Sequence, residues 1–508
     1  MAAGDLFPVL FGPPFPGSDT TRNPIALGPQ VSASSVNVDG DGLKIAKRWG
    51  IAKEVATAMS GPIYDLAFVH PTAGLFSSFF AVALYKGASN AISRGVYRPG
   101  ADFTNGGAIP GVTDSSMIGT LHPGSNDVVL ISGPASYTTN GRYFKSSGVT
   151  SVAVANYLGP DGLLNARFDV MGRHKLCMFT ARYNNASRSM RLQYCDPDAP
   201  LVWPPQNFVD ADNLGKYPSI EGFKSAGDVA YAGGSHGVYG ITGATPVTFK
   251  MHPTDADFGF AGSRSCDSLK GILYGIATRL GNDTQVPFDL FVASGLSTVR
   301  IGEPVRSAVL NTNGGAYTDA RTRAWPWRDA ILFMPRRAGA TAAARTVIYY
   351  HAPSKTFWPY TIPSAISPNC FEADAGNMWM GCVDGIIRYF KEDAADDDGT
   401  AFSSSWMSGP AIHPEGRLMR LKKLIVWGKN TSGLGTVAFT ITQDGTAMSS
   451  PKTATLPTTA TNVPVVLYYP DDTTFSYVTH VTPTFPATGY QVEITRLLGI
   501  FEIGEYIQ

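Results

Sequence analysis

The stretches YAGGSHGVYGI (231–241) and WMGCVDGIIRY (379–389) align without a gap, 148 residues apart. Both read aromatic, small or apolar, glycine, three residues, glycine, then an apolar strand. Short apolar runs held apart by glycines are a hairpin signal. From residue 63 onward the same alternation of apolar strand and Gly-, Asn- or Ser-containing turn recurs. Its starts fall near Ile63, Val128, Leu176, Val229, Ile272, Ile331 and Met378, in steps of 65, 48, 53, 43, 59 and 47 residues. Repeats of about 40–50 residues, each holding a few strands, predict a β-propeller. A four-stranded blade cannot bury both faces alone, so blades stack around an axis and cover one another. The length fits six or seven divergent blades; an array of β-sandwiches is the competing arrangement. The one amphipathic helical pattern, at 44–59, is interrupted by Trp49-Gly50.

Outward from the second stretch, residues 391–400 are acidic and poor in apolar side chains, which reads as an exposed connection. Beyond it, strand candidates near 424–427, 437–442, 465–469, 491–498 and 500–503 are separated by turn signals such as Asp444-Gly445. A small antiparallel sandwich fits them. The chain is therefore expected to be all-β: a propeller over 61–395, a C-terminal antiparallel β-sandwich over 396–508, and an N-terminal arm with entry strands over 1–60. Residues 1–35, rich in Pro, Gly and Ser, read as an extended arm. It would gain order by burying Leu6, Phe7, Val9, Leu10, Phe11 and Phe15 on something else.

Composition narrows the function. The chain has 508 residues, 44% apolar and 11% aromatic, long enough for two or three domains. Only 16% of residues are charged, and the formal net charge is zero. Average domains carry about 25%, and a protein that grips phosphates shows a basic excess. Tight nucleic-acid binding is thus not expected, although a surface that DNA merely passes remains compatible. The five cysteines, Cys177, Cys195, Cys266, Cys370 and Cys382, have no CxxC spacing and read as reduced core residues. The first seventeen residues lack a basic region and are broken by Pro8, Pro13, Pro14 and Pro16, which makes a poor signal peptide. The apolar stretch near 79–84 is too short to span a bilayer.

No motif reads as catalytic. Gly233-Gly-Ser-His-Gly237 matches the G-x-S-x-G elbow, but that motif needs a helix after the serine; an apolar strand follows here, so a hairpin turn is expected. Asn37-x-Asp39-x-Asp41-Gly42 resembles the start of a calcium loop, yet its twelfth position is Arg48 instead of a bidentate Glu; a β-turn is expected. Asp393, Asp396, Asp397 and Asp398 fit no cation loop and read as a solvated linker. No cofactor, metal or catalytic residue is expected. Arg417, Arg420, Lys422 and Lys423 form a basic cluster beside Trp427, either a solvated strand face or a surface facing a neighbouring subunit or DNA.

Three features carry a resemblance. They are Val36-Asn-Val-Asp-Gly-Asp-Gly-Leu43 with Lys47-Arg-Trp-Gly50; Asp398-Gly-Thr400 with Trp406 and the basic strand through Trp427; and the ending Gly499-Ile-Phe-Glu-Ile-Gly-Glu-Tyr506. In these the chain resembles the β-propeller tail nozzle and packaged-DNA stabilisation proteins of short-tailed bacteriophages. The resemblance implies a virion structural protein, not an enzyme, made in the host cytoplasm. It would form a homo-oligomeric ring, expected to be a hexamer, against portal, adaptor and tail proteins, with duplex DNA retained by and ejected through it. The alternative is a carbohydrate-binding or carbohydrate-cleaving propeller for host recognition; Trp325, Trp327 and Trp358 would suit sugar stacking, but packing against a neighbouring blade suits strand aromatics better.

Overall fold

Two-residue turns with a backbone of positive φ join the first and second strands of successive blades. Lys175, Gly227, Lys270, Arg328 and Gly376 occupy them, with φ between 51° and 82°. Such turns match the right-handed twist of the strands they link. In the computed structural model the described residues are 5–19, 24–54, 58–69, 170–181, 191–210, 220–234, 237–262, 264–277, 289–306, 322–335, 345–374, 376–448, 450–459, 463–469 and 474–504. Between 70 and 169 it describes only the strands 80–86, 91–97, 104–113, 120–125, 128–132, 142–145 and 152–153.

The propeller is present. Among the described residues, six four-stranded antiparallel sheets begin at Ile63, Thr120, Val170, Ile220, Cys266 and Arg323. A seventh consists of Pro368–Asp374, Asn377–Cys382 and Ile387–Lys391, completed by Gly50–Lys53 from the N-terminal region. First strands adjoin in succession, and Pro368–Asp374 returns to lie beside Ile63–Val69, so the ring is closed. The last blade is thus held by a strand more than three hundred residues away in sequence. The aligned stretches form equivalent hairpins, Val229–Gly234 with Val238–Thr242 and Asn377–Cys382 with Ile387–Lys391. Six of the seven repeat starts fall on the second strand of a blade. Ile63 lies on the first strand of its blade, whose second strand is Phe80–Lys86, which explains the long 65-residue step.

The sandwich departs from expectation in its membership. One sheet runs Val38–Gly40, Ile45–Lys47, Val492–Ile503, Met419–Asn430, Val465–Tyr468, and Leu6–Gly12 also pairs with Val492–Ile503. The other runs Ser32–Val36, Ser404–Ser408, Thr479–Phe485, Val437–Gln443, with short strands at its edge. The N-terminal segment is therefore built into the C-terminal sandwich, and residues 1–60 are not a separate unit. The pattern at 44–59 is strand, not helix, where it is described. The expected boundaries also shift: Gly50–Lys53 and the pair Asp396–Asp397 and Thr400–Ala401 belong to the sheet of the last blade. In effect the propeller is inserted into the sandwich.

The reason lies in pairing and burial. Without Leu6–Gly12, the edge of the long strand Val492–Ile503 would present unpaired backbone groups. Val9, Phe11 and Phe15 bury within this chain instead of on a neighbour. Phe11 lies 6.4 Å from Phe501, and Phe15 meets Trp406 edge-on at 5.5 Å. Leu6 stays 60% exposed. Truncating Phe15 to Ala should cost about 3–5 kcal/mol, read by chemical denaturation of the isolated chain. A loss under about 1 kcal/mol would return the segment to an intermolecular role.

Candidate functional site

The entry motif Asn37–Gly50 and the acidic run 393–398 meet at the seam between propeller and sandwich. Arg48 and Asp397 form a bidentate ion pair with both side chains wholly buried, Nη1 lying 2.9 Å from Oδ1. Arg48 also donates to the Trp49 carbonyl at 2.7 Å, to Asn37 Oδ1 at 3.0 Å and to the Thr361 carbonyl at 3.3 Å. Asn37, at φ 55°, accepts from the Thr361 amide and donates to the Ser403 carbonyl. Lys47 Nζ donates to the carbonyls of Ala395, Pro486 and Ala487 at 2.7, 3.1 and 2.7 Å. The acidic run is thus not a solvated linker at Asp397 and Asp398. Asp397 is buried, and Asp398 accepts from Arg388 at 2.9 Å and faces Lys53 at 3.3 Å; only its start, around Asp393, is exposed. A buried guanidinium needs a counter-charge, and this run supplies it. The calcium-like segment is a turn whose Asp41 accepts from the amides of Leu43 and Lys44.

Beside this seam opens a cleft of about 290 Å³. Asp39, Asp41, Lys44, Lys47 and Trp49 come from the entry strands, Arg328, Tyr349 and His351 from the sixth blade, Glu392 from the last, and Lys429, Gln491 and Glu493 from the sandwich. Lys44 and Lys429 both reach Glu493, at 2.7 and 3.3 Å. The Arg328 guanidinium stacks on Trp49 at 3.7 Å. Burial pushes the Asp39 carboxyl up to about 6; Lys44 and Arg328 oppose the rise and Asp41 adds to it. Burial lowers the imidazole of His351 below its ordinary value, while Asp41 and Asp329 oppose the fall. Sequence reading missed this cleft. Its entry-strand residues were visible as a motif, but the partners at 328–351 and 429–493 are brought to them only by the fold.

The predicted surface residues fall in two places. Arg420, Lys422, Lys423 and Trp427 lie on Met419–Asn430, on the sheet face turned away from the core. Arg420 and Lys422 pair with Glu502 at 2.6 and 3.4 Å, Lys423 lies 5.3 Å from the Tyr468 ring, and Arg496 lies 4.8 Å from that of Trp427. Arg417 is only 5% exposed, so it is a buried residue and not part of the outer surface. The charges flank a row the sequence did not reveal. Register places Leu10, Leu498, Ile425 and Val466 side by side across four strands, each partly exposed.

The remaining sequence candidates keep their structural readings. Trp325, Trp327 and Trp358 are at most 4% exposed, so they pack between blades and the sandwich and are not available to stack on sugar. The Gly233–Gly237 segment joins two strands, and Ser235 and His236 lie outside the described residues. All five cysteines are buried thiols. Within the propeller, Asp65 of the first blade accepts from Arg264 at 3.0 Å and faces Arg323 at 3.3 Å. Arg264, which leads into the fifth blade, also reaches Glu372 of the seventh at 3.3 Å. Ionic side chains therefore link blades that are not neighbours in the ring.

No family model matches the chain, and no curated protein matches it. Among solved structures it is similar to a GH74 enzyme from Niastella koreensis, at 12% identity over 82% of this chain and 71% of that chain, TM-score 0.40. It is also similar to the WD40 domain of Toxoplasma gondii coronin, at 10% identity over 70% of this chain and 88% of that one, TM-score 0.37. A third is the computationally designed Ika8 protein, at 9% identity over 67% and 99%, TM-score 0.39. No helix among the described residues is long and apolar enough to cross a membrane.

Two measurements follow from the seam. Arg48→Met leaves Asp397 buried without its partner and should cost about 3–5 kcal/mol, whereas adding Asp397→Leu should recover most of that loss; a denaturation double-mutant cycle reads both. The second concerns Asp39. Its folded value of about 6 stands above the ordinary 3.8, so the folded state holds that proton more tightly than the unfolded chain. The resulting stability is full below about 4 and is lost as pH rises through 6. Asp39→Asn removes this loss, so the melting temperature of the variant relative to the parent should rise between pH 4 and pH 7. A flat difference would contradict the shift.

Proposed function

We propose that the chain is a structural subunit of a bacteriophage virion, part of a neck or tail ring coaxial with the portal. In this reading it is made in the host cytoplasm and closes into a homo-oligomer, expected to be a hexamer. The ring contacts portal, adaptor and tail proteins, and duplex DNA is retained and then passes. The reading assigns no catalytic residue.

The observation that carries it is the outward sandwich face. An apolar row four strands wide, flanked by Arg420, Lys423, Arg496 and Trp427, suits a contact that closes around a ring. The sequence resemblance points the same way. The N-terminal arm no longer contributes, because its apolar residues are used within the chain. The DNA path in this reading runs between copies, since ionic side chains link blades that are not neighbours in the propeller ring. The formal charge of zero suits passage better than grip.

Sedimentation and native mass of the purified chain, alone and with neck or tail complexes from particles, test the reading. The expected result is a closed ring that Ile425→Lys with Leu498→Lys reduces to folded monomer. Surface changes of this kind move stability by only about 0.5 kcal/mol, so the melting temperature should hold. A monomer in both settings, or absence from purified particles, removes the structural role.

A further inference from the structure

The seam cleft holds more hydrogen-bonding groups than the seam uses. Lys44 and Lys429 are held by Glu493, Lys47 by three carbonyls, and Asp41 by the amides of its own turn. Four side chains lining the cavity are not engaged in this way. The Arg328 guanidinium stacks on Trp49, which occupies its face and leaves the in-plane N–H groups free to donate. Glu392 stands exposed at the rim. Gln491 contributes an amide, and His351, whose Nδ1 meets Ser354 Oγ at 2.7 Å, contributes Nε2.

The chemistry of this set selects a ligand class. The lining carries four acids, Asp39, Asp41, Glu392 and Glu493, and four basic side chains, Lys44, Lys47, Arg328 and Lys429, so its formal charge is zero. A phosphate or nucleotide would meet as many carboxylates as cations. An apolar ligand would strip water from charged walls without replacing those hydrogen bonds. A sugar hydroxyl both donates and accepts, and vicinal hydroxyls match the paired atoms of a guanidinium, a carboxylate and an amide. Trp49 and Tyr349 supply apolar wall. The volume lies at the lower end for small-molecule pockets, which occur preferentially where domains meet.

We propose that this cleft binds a small neutral saccharide through Arg328, Glu392, Gln491 and His351. The inference is independent of the assembly reading, because it concerns a cavity away from the outward sandwich face. Saturation-transfer NMR and calorimetry on the full chain test it, with methyl glucoside, galactoside, mannoside and rhamnoside, maltose and lactose at about 10 mM, enough to saturate a site of about 1 mM affinity. Transfer from at least one probe is expected. Arg328→Lys keeps the charge but loses the fork, and Glu392→Gln alters an exposed side chain that no fold contact needs. Each should weaken binding about tenfold while the thermal midpoint stays in place. No transfer from any probe, or undiminished binding in both variants, overturns the proposal.

Discussion

A single buried ion pair, Arg48 with Asp397, stands where the two domains and the two ends of the chain converge. Removing two charges from water is costly, and such a pair persists only when geometry and further hydrogen bonds satisfy every remaining donor. Here the guanidinium is bidentate to the carboxylate, bonds three other oxygens, and lies 3.9 Å from the Phe402 ring. Arg48 stands two residues before the start of Gly50–Lys53, the strand that completes the last blade, and Asp397 lies on the strand that runs parallel to it. The closure of the propeller and its junction with the sandwich therefore share this one ion pair. Space at this point is equally constrained: a Cβ at Gly50 would sit 2.2 Å from the Asp396 carbonyl oxygen.

The seam is continuous with the core of both domains. One apolar core runs from Phe371, Trp379 and Phe390 of the last blade through Trp358 to Trp406, Leu421 and Phe501 of the sandwich. Walls anchored in both domains cannot move apart without breaking this core. The cleft beside the seam has walls from both domains, and a preformed site of that kind would lower the ordering cost of the binding we propose.

Charge is used sparingly, and a few charged pairs are buried at structural junctions. Arg48, Arg323, Asp65 and Asp397 are all buried, and the network around Asp65 ties the first, fifth, sixth and seventh blades together. On the outer sandwich sheet, by contrast, Arg420, Lys423 and Arg496 flank the partly exposed row of Leu10, Leu498, Ile425 and Val466. An outer face of that kind is suited to contact with other subunits, in keeping with the assembly we propose.

The periodic spacing of apolar strands and glycine turns made the propeller and the C-terminal strands legible, because strand period and turn chemistry are local properties. Even the glycines shared by the two aligned hairpins mark equivalent places in two blades. The route of the first fifty residues was not legible. Leu6–Gly12 and Ser32–Val36 read as an arm because a strand's partner is set by whichever edge lies open in space, not by neighbours in sequence. Asp397 read as solvated for the same reason: its counter-ion is 349 positions away. The basic residues of Met419–Asn430 were visible as a cluster, but the apolar row beside them needs the register of four strands, and Arg417 needed burial to be set apart. The sequence by itself determined the repeat, the strand content and the turns. Only the tertiary structure decided the closure of the ring, the threading of the N-terminus and the cleft, because each depends on pairings and charges that long-range packing alone brings together.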